Sequence, residues 1–215
     1  MSPLTEFLNN LAAALGASGL AASGDETRAM AMSRLIEKAA EAAGLREGCQ
    51  SQRLPVCTWI AQALASSRAH SEAVSRLADS FDRIEPLLRW MPRAAGGAFA
   101  SENWPEGHAN AMIVGPGGLE KRHGIRIGVS LMAPHVRYPD HNHPQEEVYL
   151  VLSQGQFKHG ASSWYEPGIG GTFYNEPNIG HAMMSDASPL LAIWCLWEES
   201  LGAVHKGYKN IHHRN

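Results

Sequence analysis

The texture of the chain changes at Ala94-Ala95-Gly96-Gly97, and no single uniform architecture suits both sides of that change. Before it, Ala, Leu, Glu and Arg dominate, Gly is almost absent after Gly48, and apolar residues recur at helical spacing. Leu4, Phe7, Leu8, Leu11 and Leu15 form one stripe. Met30, Ile36, Ala39 and Ala40 form a looser second one, with Ser23 and Asp25 as capping candidates near its start. Val56, Ile60, Ala63 and Leu64 predict a third helix; Val74, Leu77, Phe81, Ile84 and Leu88 predict a fourth, stopped by Trp90-Met91-Pro92. None of these stripes gathers acids, histidines or cysteines, so they read as packing surfaces.

After the junction, Gly, Pro, aromatic and β-branched residues alternate in short runs, which is the pattern of strands and turns. Strands are expected at 109–114, 126–132, 147–152, 156–158, 172–174, 181–184 and 190–197. Gly115-Pro116-Gly117-Gly118, Gln154-Gly155, Glu166-Pro167-Gly168 and Asn175-Glu176-Pro177-Asn178 supply the turns between them. Short strands without intervening helices argue for an antiparallel sandwich or barrel. The expected fold is therefore mainly β with an α-helical N-terminal region. Residues 1–95 would pack on the barrel or on a dimer partner, and residues 96–215 would carry the chemistry.

Composition narrows the partners. The 215 residues carry a net charge of −3, without the basic excess that nucleic-acid surfaces need. Cys49, Cys57 and Cys195 are too few and too scattered for a disulfide framework, which fits a reducing compartment. The small apolar stretch 11–22 follows Glu6 and no Lys or Arg, unlike a signal peptide, and lacks the ~18 apolar residues of a membrane span. A cytoplasmic protein with no membrane partner is expected.

The chemistry concentrates in the segment from Tyr138 to Gly155, where His141 and His143 precede Glu147 and Tyr149 on an apolar run. Because side chains alternate across a strand, Glu147, Tyr149 and Val151 should share one face, and Val148, Leu150 and Leu152 the other. An HxH pair in extended backbone presents both imidazoles to a common side. Two histidines, a carboxylate and a tyrosine can then converge. Mixed imidazole and carboxylate donors suit one divalent iron, zinc, manganese, cobalt or nickel ion without choosing among them. After the turn at Pro177, His181 supplies a third imidazole.

This pairing of HxHxxxE, strand and Gly with a later Pro/Gly turn and His resembles the cupin superfamily over roughly residues 96 to 200. The resemblance implies a double-stranded β-helix, or jelly-roll, barrel with the metal held by His141, His143, Glu147 and His181. Two departures stand out. The gap from Glu147 to Gly155 is one residue longer than usual, and the second motif is compressed, with Ser185 where Asn is common.

Tyr138 before the HxH pair, Tyr149 after Glu147, the helical N-terminal region and the Trp194-Cys195-Leu196-Trp197 strand together resemble the cupin dimethylsulfoniopropionate (DMSP) lyases, the L type with the Q type as its relative. That family cleaves DMSP to dimethyl sulfide and acrylate by β-elimination. Tyr149 is the expected base, by its inward parity and its correspondence to the family's catalytic tyrosine. Tyr138, Trp194 and Trp197 are the candidates to face the sulfonium, since cation–π attraction is worth about 0.5–2 kcal/mol per ring. Trp194 and Trp197 have opposite parity, so at most one of the two should face the pocket unless a bulge intervenes. A homodimer, common among cupins, is also expected. His108, His123, His135 and His159 have no partner at ligand spacing, and His212-His213 reads as a solvated tail.

One fold hosts many activities. Another metal-dependent cupin enzyme, such as a thiol or acid dioxygenase, would consume oxygen. A non-catalytic small-molecule-binding cupin would turn over no substrate and would tolerate Tyr149→Phe.

Overall fold

The computed structural model describes residues 1–18, 26–93 and 98–198. The capping candidates Ser23 and Asp25, the Ala94 to Gly97 junction and the His212-His213 tail lie outside the described residues. The first part of the chain forms α1 (Pro3–Ser18), α2 (Glu26–Ala40), a short strand β1 (Leu45–Arg46), α3 (Ile60–Arg68), α4 (Glu72–Ile84) and a short strand β2 (Trp90–Met91). The second part forms the one-turn α5 (Trp104–Gly107), then β3 (His108–Val114), β4 (Glu120–Lys121), β5 (Ile125–Met132), β6 (Glu147–Val151), β7 (Gln156–His159), β8 (Thr172–Asn175), β9 (His181–Met184) and β10 (Leu190–Trp197).

The first stripe is buried as expected: Leu4, Phe7, Leu8, Leu11 and Leu15 all face inward from α1, which packs against α2 and α4. The second stripe is corrected by one residue. Met30 is 38% exposed, while Ala29, Met32 and Ile36 make the buried face of α2. In α4, Ser71 caps the first turn by accepting the Val74 N–H. That helix ends at Ile84, earlier than its apolar pattern suggests, because Pro86 has no N–H to continue the ladder and the chain tightens into a 3₁₀ turn. Trp90-Met91 is then a strand paired antiparallel with β3, not simply a helix stop.

The main sheet runs β1-β4-β3-β5-β10-β6-β8, with β2 beside β3. β10, the last strand among the described residues, lies in its middle and pairs antiparallel with both β5 and β6. A smaller sheet pairs β7 with β9 and is widened by the bridges Arg137↔Met184 and His141↔His181. Alternation then divides the core. Val148, Leu150, Leu152, Leu191, Ile193 and Cys195 join the helical residues in one continuous cluster on the outer face of the main sheet. Tyr149, Val151 and Ala192 meet Phe157, Phe173 and Met183 inside the barrel between the sheets. The architecture is a cupin-type β barrel with N-terminal helices laid over one face. No helix among the described residues is long and apolar enough to cross a membrane.

Candidate metal centre and substrate cavity

The two sheets bring the reactive side chains together at one end of the barrel. His141 and His181 are cross-strand partners that exchange backbone hydrogen bonds of 3.1 and 2.9 Å, so their rings lie 4.1 Å apart between centroids. His143 follows by two residues, and its carbonyl accepts the Asn178 N–H at 2.8 Å, tying the HxH loop to the second motif. Asn178 has φ +64°, a left-handed conformation that Asn tolerates better than most residues. From the main sheet, Glu147 opens β6 and is 3% exposed.

Each of the three imidazoles is fixed in the same way. His141, His143 and His181 donate Nδ1–H to the carbonyls of Pro139, Gln145 and Ile179, all at 3.0 Å. A carbonyl only accepts, so Nδ1 carries the proton in each ring; in His141 and His181 Nε2 then keeps its lone pair, the form suited to a metal ligand, whereas His143 Nε2 is hydrogen-bonded to the Glu147 carboxylate. Donor atoms of His143, Glu147 and His181 all fall within 4.8 Å of one another. His143 Nε2 lies 3.2 Å and His181 Nε2 3.4 Å from Glu147 Oε2. His181 Nε2 is buried with no hydrogen-bond partner among the described residues. An orphaned imine nitrogen aimed at a buried carboxylate is costly unless a cation joins them. These donors therefore fit a divalent metal, with His141 beside His181 as the neighbouring imidazole.

Electrostatics agree with a neutral, cation-ready pair. Burial first, and then the charge of Arg93, lowers His141 to about 4. Burial and the adjacent His141 lower His181 to about 4. For His143, burial pulls downward, but the hydrogen bond and charge of Glu147 outweigh it and raise the imidazole. Tyr149 is pushed well above 10.0 by burial and then by Glu147.

A cavity of about 240 Å³ opens beside these groups, lined by His141, His143, Glu147, Tyr149, Tyr138 and Trp194 among others. Tyr149 lies on the barrel face as its parity predicts. Trp194 faces the cavity, whereas Trp197 packs with the cluster under the helices, away from it. The indole of Trp194 lies across Gly128, its cross-strand partner on β5, where a methyl group would overlap the ring. The sequence reading missed Arg93, Asn110 and Ser130, which also line the cavity, and Asn175, whose Nδ2 donates to Glu147 Oε2 at 2.7 Å. Asn175 is fully buried and opposite Glu147 in the β6–β8 register; its Oδ1 meets His159 Nε2 at 2.9 Å. The parity of β8 could have marked Asn175 as inward; only the register names its partner. Ser185 accepts the Val136 N–H at 3.0 Å and donates to the Ala133 carbonyl at 2.6 Å.

The family model for dimethylsulfoniopropionate lyase matches residues 27–192, which is well over half of the chain. The chain belongs to the DMSP lyase family. It is accordingly a carbon–sulfur lyase acting on a small molecule. A chain from the crystal structures of the DMSP lyases RdDddP and RnDddQII is 21% identical, with a TM-score of 0.68 over 93% of this chain and 94% of that one. The DMSP lyase DddQ from Ruegeria pomeroyi DSS-3 is 18% identical, with a TM-score of 0.66 over 93% of this chain and 95% of that one. At such identities the likeness is one of fold, and it includes the N-terminal helices of this DMSP lyase family member. No match is found among curated protein sequences.

Proposed function

We propose that this chain cleaves DMSP to dimethyl sulfide and acrylate by a metal-assisted β-elimination with Tyr149 as the base. The observation that carries the reading is that His141, His143, Glu147, Tyr149 and Trp194 line one small cavity, with His181 Nε2 3.4 Å from Glu147 Oε2. His141, His143, Glu147 and His181 would hold one divalent transition ion. Bound there, the ion supplies positive charge that lowers the neighbouring phenol and stabilises the enediolate-like charge developing on the substrate.

The chain's own groups do the rest. Tyr149, as phenolate, takes the proton from the carbon next to the substrate carboxylate. The electron pair left behind forms the new carbon–carbon double bond. The Cβ–S bond breaks with its pair on sulfur, so dimethyl sulfide leaves neutral and needs no general acid. Trp194 offers an aromatic face to the sulfonium, and Tyr138 contacts the substrate from within the same cavity. Trp197 serves packing in this reading. The same proposal includes a homodimer and a cytoplasmic location. The three free cysteines support the second, and light scattering after size exclusion tests the first.

The test is headspace dimethyl sulfide, with acrylate followed by NMR, after DMSP is added anaerobically to metal-loaded protein. Both products should appear in equal amounts. Oxygen-dependent turnover, or binding without turnover, would sink the lyase reading in favour of a dioxygenase or a binding cupin.

A further inference from the structure

Arg93 is the cavity-lining side chain with a permanent positive charge, and nothing so far gives it a task. Arg28 closes on Glu146, Arg122 on Glu120 and Arg137 on Asp140, at 2.7–2.9 Å. Arg93 has no acidic partner among the described residues. Its Nη1 donates to the Tyr138 hydroxyl at 3.2 Å, and its guanidinium lies 5.4 Å over the Tyr138 ring. A guanidinium has five N–H donors in a planar fork that matches a carboxylate, so most of them are left to face the cavity.

The surroundings fix this arrangement. The Arg93 N–H donates to His108 Nε2 at 2.9 Å, while His108 Nδ1 donates to the Trp104 carbonyl and its ring stacks on Trp104 at 4.2 Å. Tyr138 stands edge-on to both rings. The Tyr138 oxygen accepts a second hydrogen bond, from Asn110 Nδ2 at 3.0 Å, and Asn110 is oriented by the Ser130 hydroxyl at 2.7 Å. With both lone pairs of Tyr138 engaged, its own O–H is free to donate.

We infer that Arg93 is the carboxylate anchor of the cavity, held in place by Tyr138, which adds an O–H donor beside the guanidinium. The ligand class is a small aliphatic carboxylate. Resting on the lyase reading, this sets the orientation of the substrate. Its carboxylate lies at the Arg93–Tyr138 end and its sulfonium points toward Trp194. The Tyr138 face already carries a protein cation, so a sulfonium there would meet like charge. Tyr138 thereby moves from a sulfonium contact to the carboxylate end, and Trp194 keeps the cation.

Binding to the metal-loaded enzyme, by calorimetry, tests this with two half-substrates: propionate, which has only the carboxylate, and trimethylsulfonium, which has only the cation. Arg93→Gln should weaken propionate at least about tenfold and leave trimethylsulfonium within about twofold or slightly tighter. Arg93→Lys, which keeps the charge without the fork, should lie between, and is judged by the same contrast if the Gln variant unfolds. Propionate binding the variant within about twofold of the parent would overturn the assignment, as would equal loss of both ligands. DMSP turnover by the parent is measured alongside. Absence of dimethyl sulfide with Arg93-dependent propionate binding sinks the lyase reading alone; turnover with Arg93-independent propionate binding sinks the anchor alone.

Discussion

Tyr149 sits where burial and the Glu147 carboxylate both favour its protonated form. It can act as a base only with a cation beside it. Tyr149→Phe removes the oxygen but no proposed metal ligand, so lyase activity should fall by at least ~100-fold with the metal content unchanged, read by metal analysis and product release on one preparation. Asn175 gives the opposite split. Asn175→Ala leaves the tyrosine and cavity wall in place but frees Glu147 Oε2 from its 2.7 Å donor. Metal affinity should drop about 10- to 100-fold, measured by chelator competition, and excess metal should restore turnover. His141, His143, Glu147 and Tyr149 were legible because spacing and strand parity act within a few residues, and His181 through the resemblance of its Pro/Gly turn to the second cupin motif. Arg93 and Asn175 were not, since their partners are set by pairing between distant segments.

The reactive strand β6 is buried on both faces, with Tyr149 in the barrel and Val148 and Leu150 under the helices. A shift of one residue would exchange those two sets, so the hydrocarbon packing on one side fixes the register of the chemistry on the other. Gly128 performs a related service on β5. Gly128→Ala should displace the Trp194 indole and cost about 1–3 kcal/mol from overpacking. The expected result is a lower denaturation midpoint with a higher KM, whereas an unchanged KM would place Trp194 outside substrate binding. The strands from β3 to β10, apart from the two-residue β4, were readable to within a residue or so, because their apolar runs are bounded by Gly and Pro turns. β1, β2 and β4 have two residues each, too short for any periodicity, and exist through their pairing partners.

Because α1 to α4 and the outer face of the main sheet form one continuous apolar cluster, the helical layer should not melt separately. In the metal-free protein, helical ellipticity and tryptophan fluorescence should change at the same temperature; two separated transitions would disprove a shared core. Stability should also fall in mild acid. His108 is lowered below 6.5 mainly by burial, and its Nε2 must stay unprotonated to accept the Arg93 N–H. The unfolded chain takes up that proton first, so the contribution is intact above about 6.5 and is lost as pH falls toward the lower folded value. His108→Gln should flatten the slope of melting temperature against pH by up to one proton. The division into a helical part and a β part was visible from composition, but the burial of one against the other depends on which face of each strand looks outward.

The place of β10 has a consequence for how such a chain is made. β10 emerges after every other strand of the described residues and is the one that joins β5 to β6, so everything before Leu190 leaves two long strand edges open toward a gap. A nascent chain in which β10 has not yet emerged cannot close its barrel, and any product terminated before Leu190 lacks the keystone of the sheet, with adhesive edges that invite aggregation or clearance. Maturation of the enzyme must therefore wait until Leu190–Trp197 has left the ribosome.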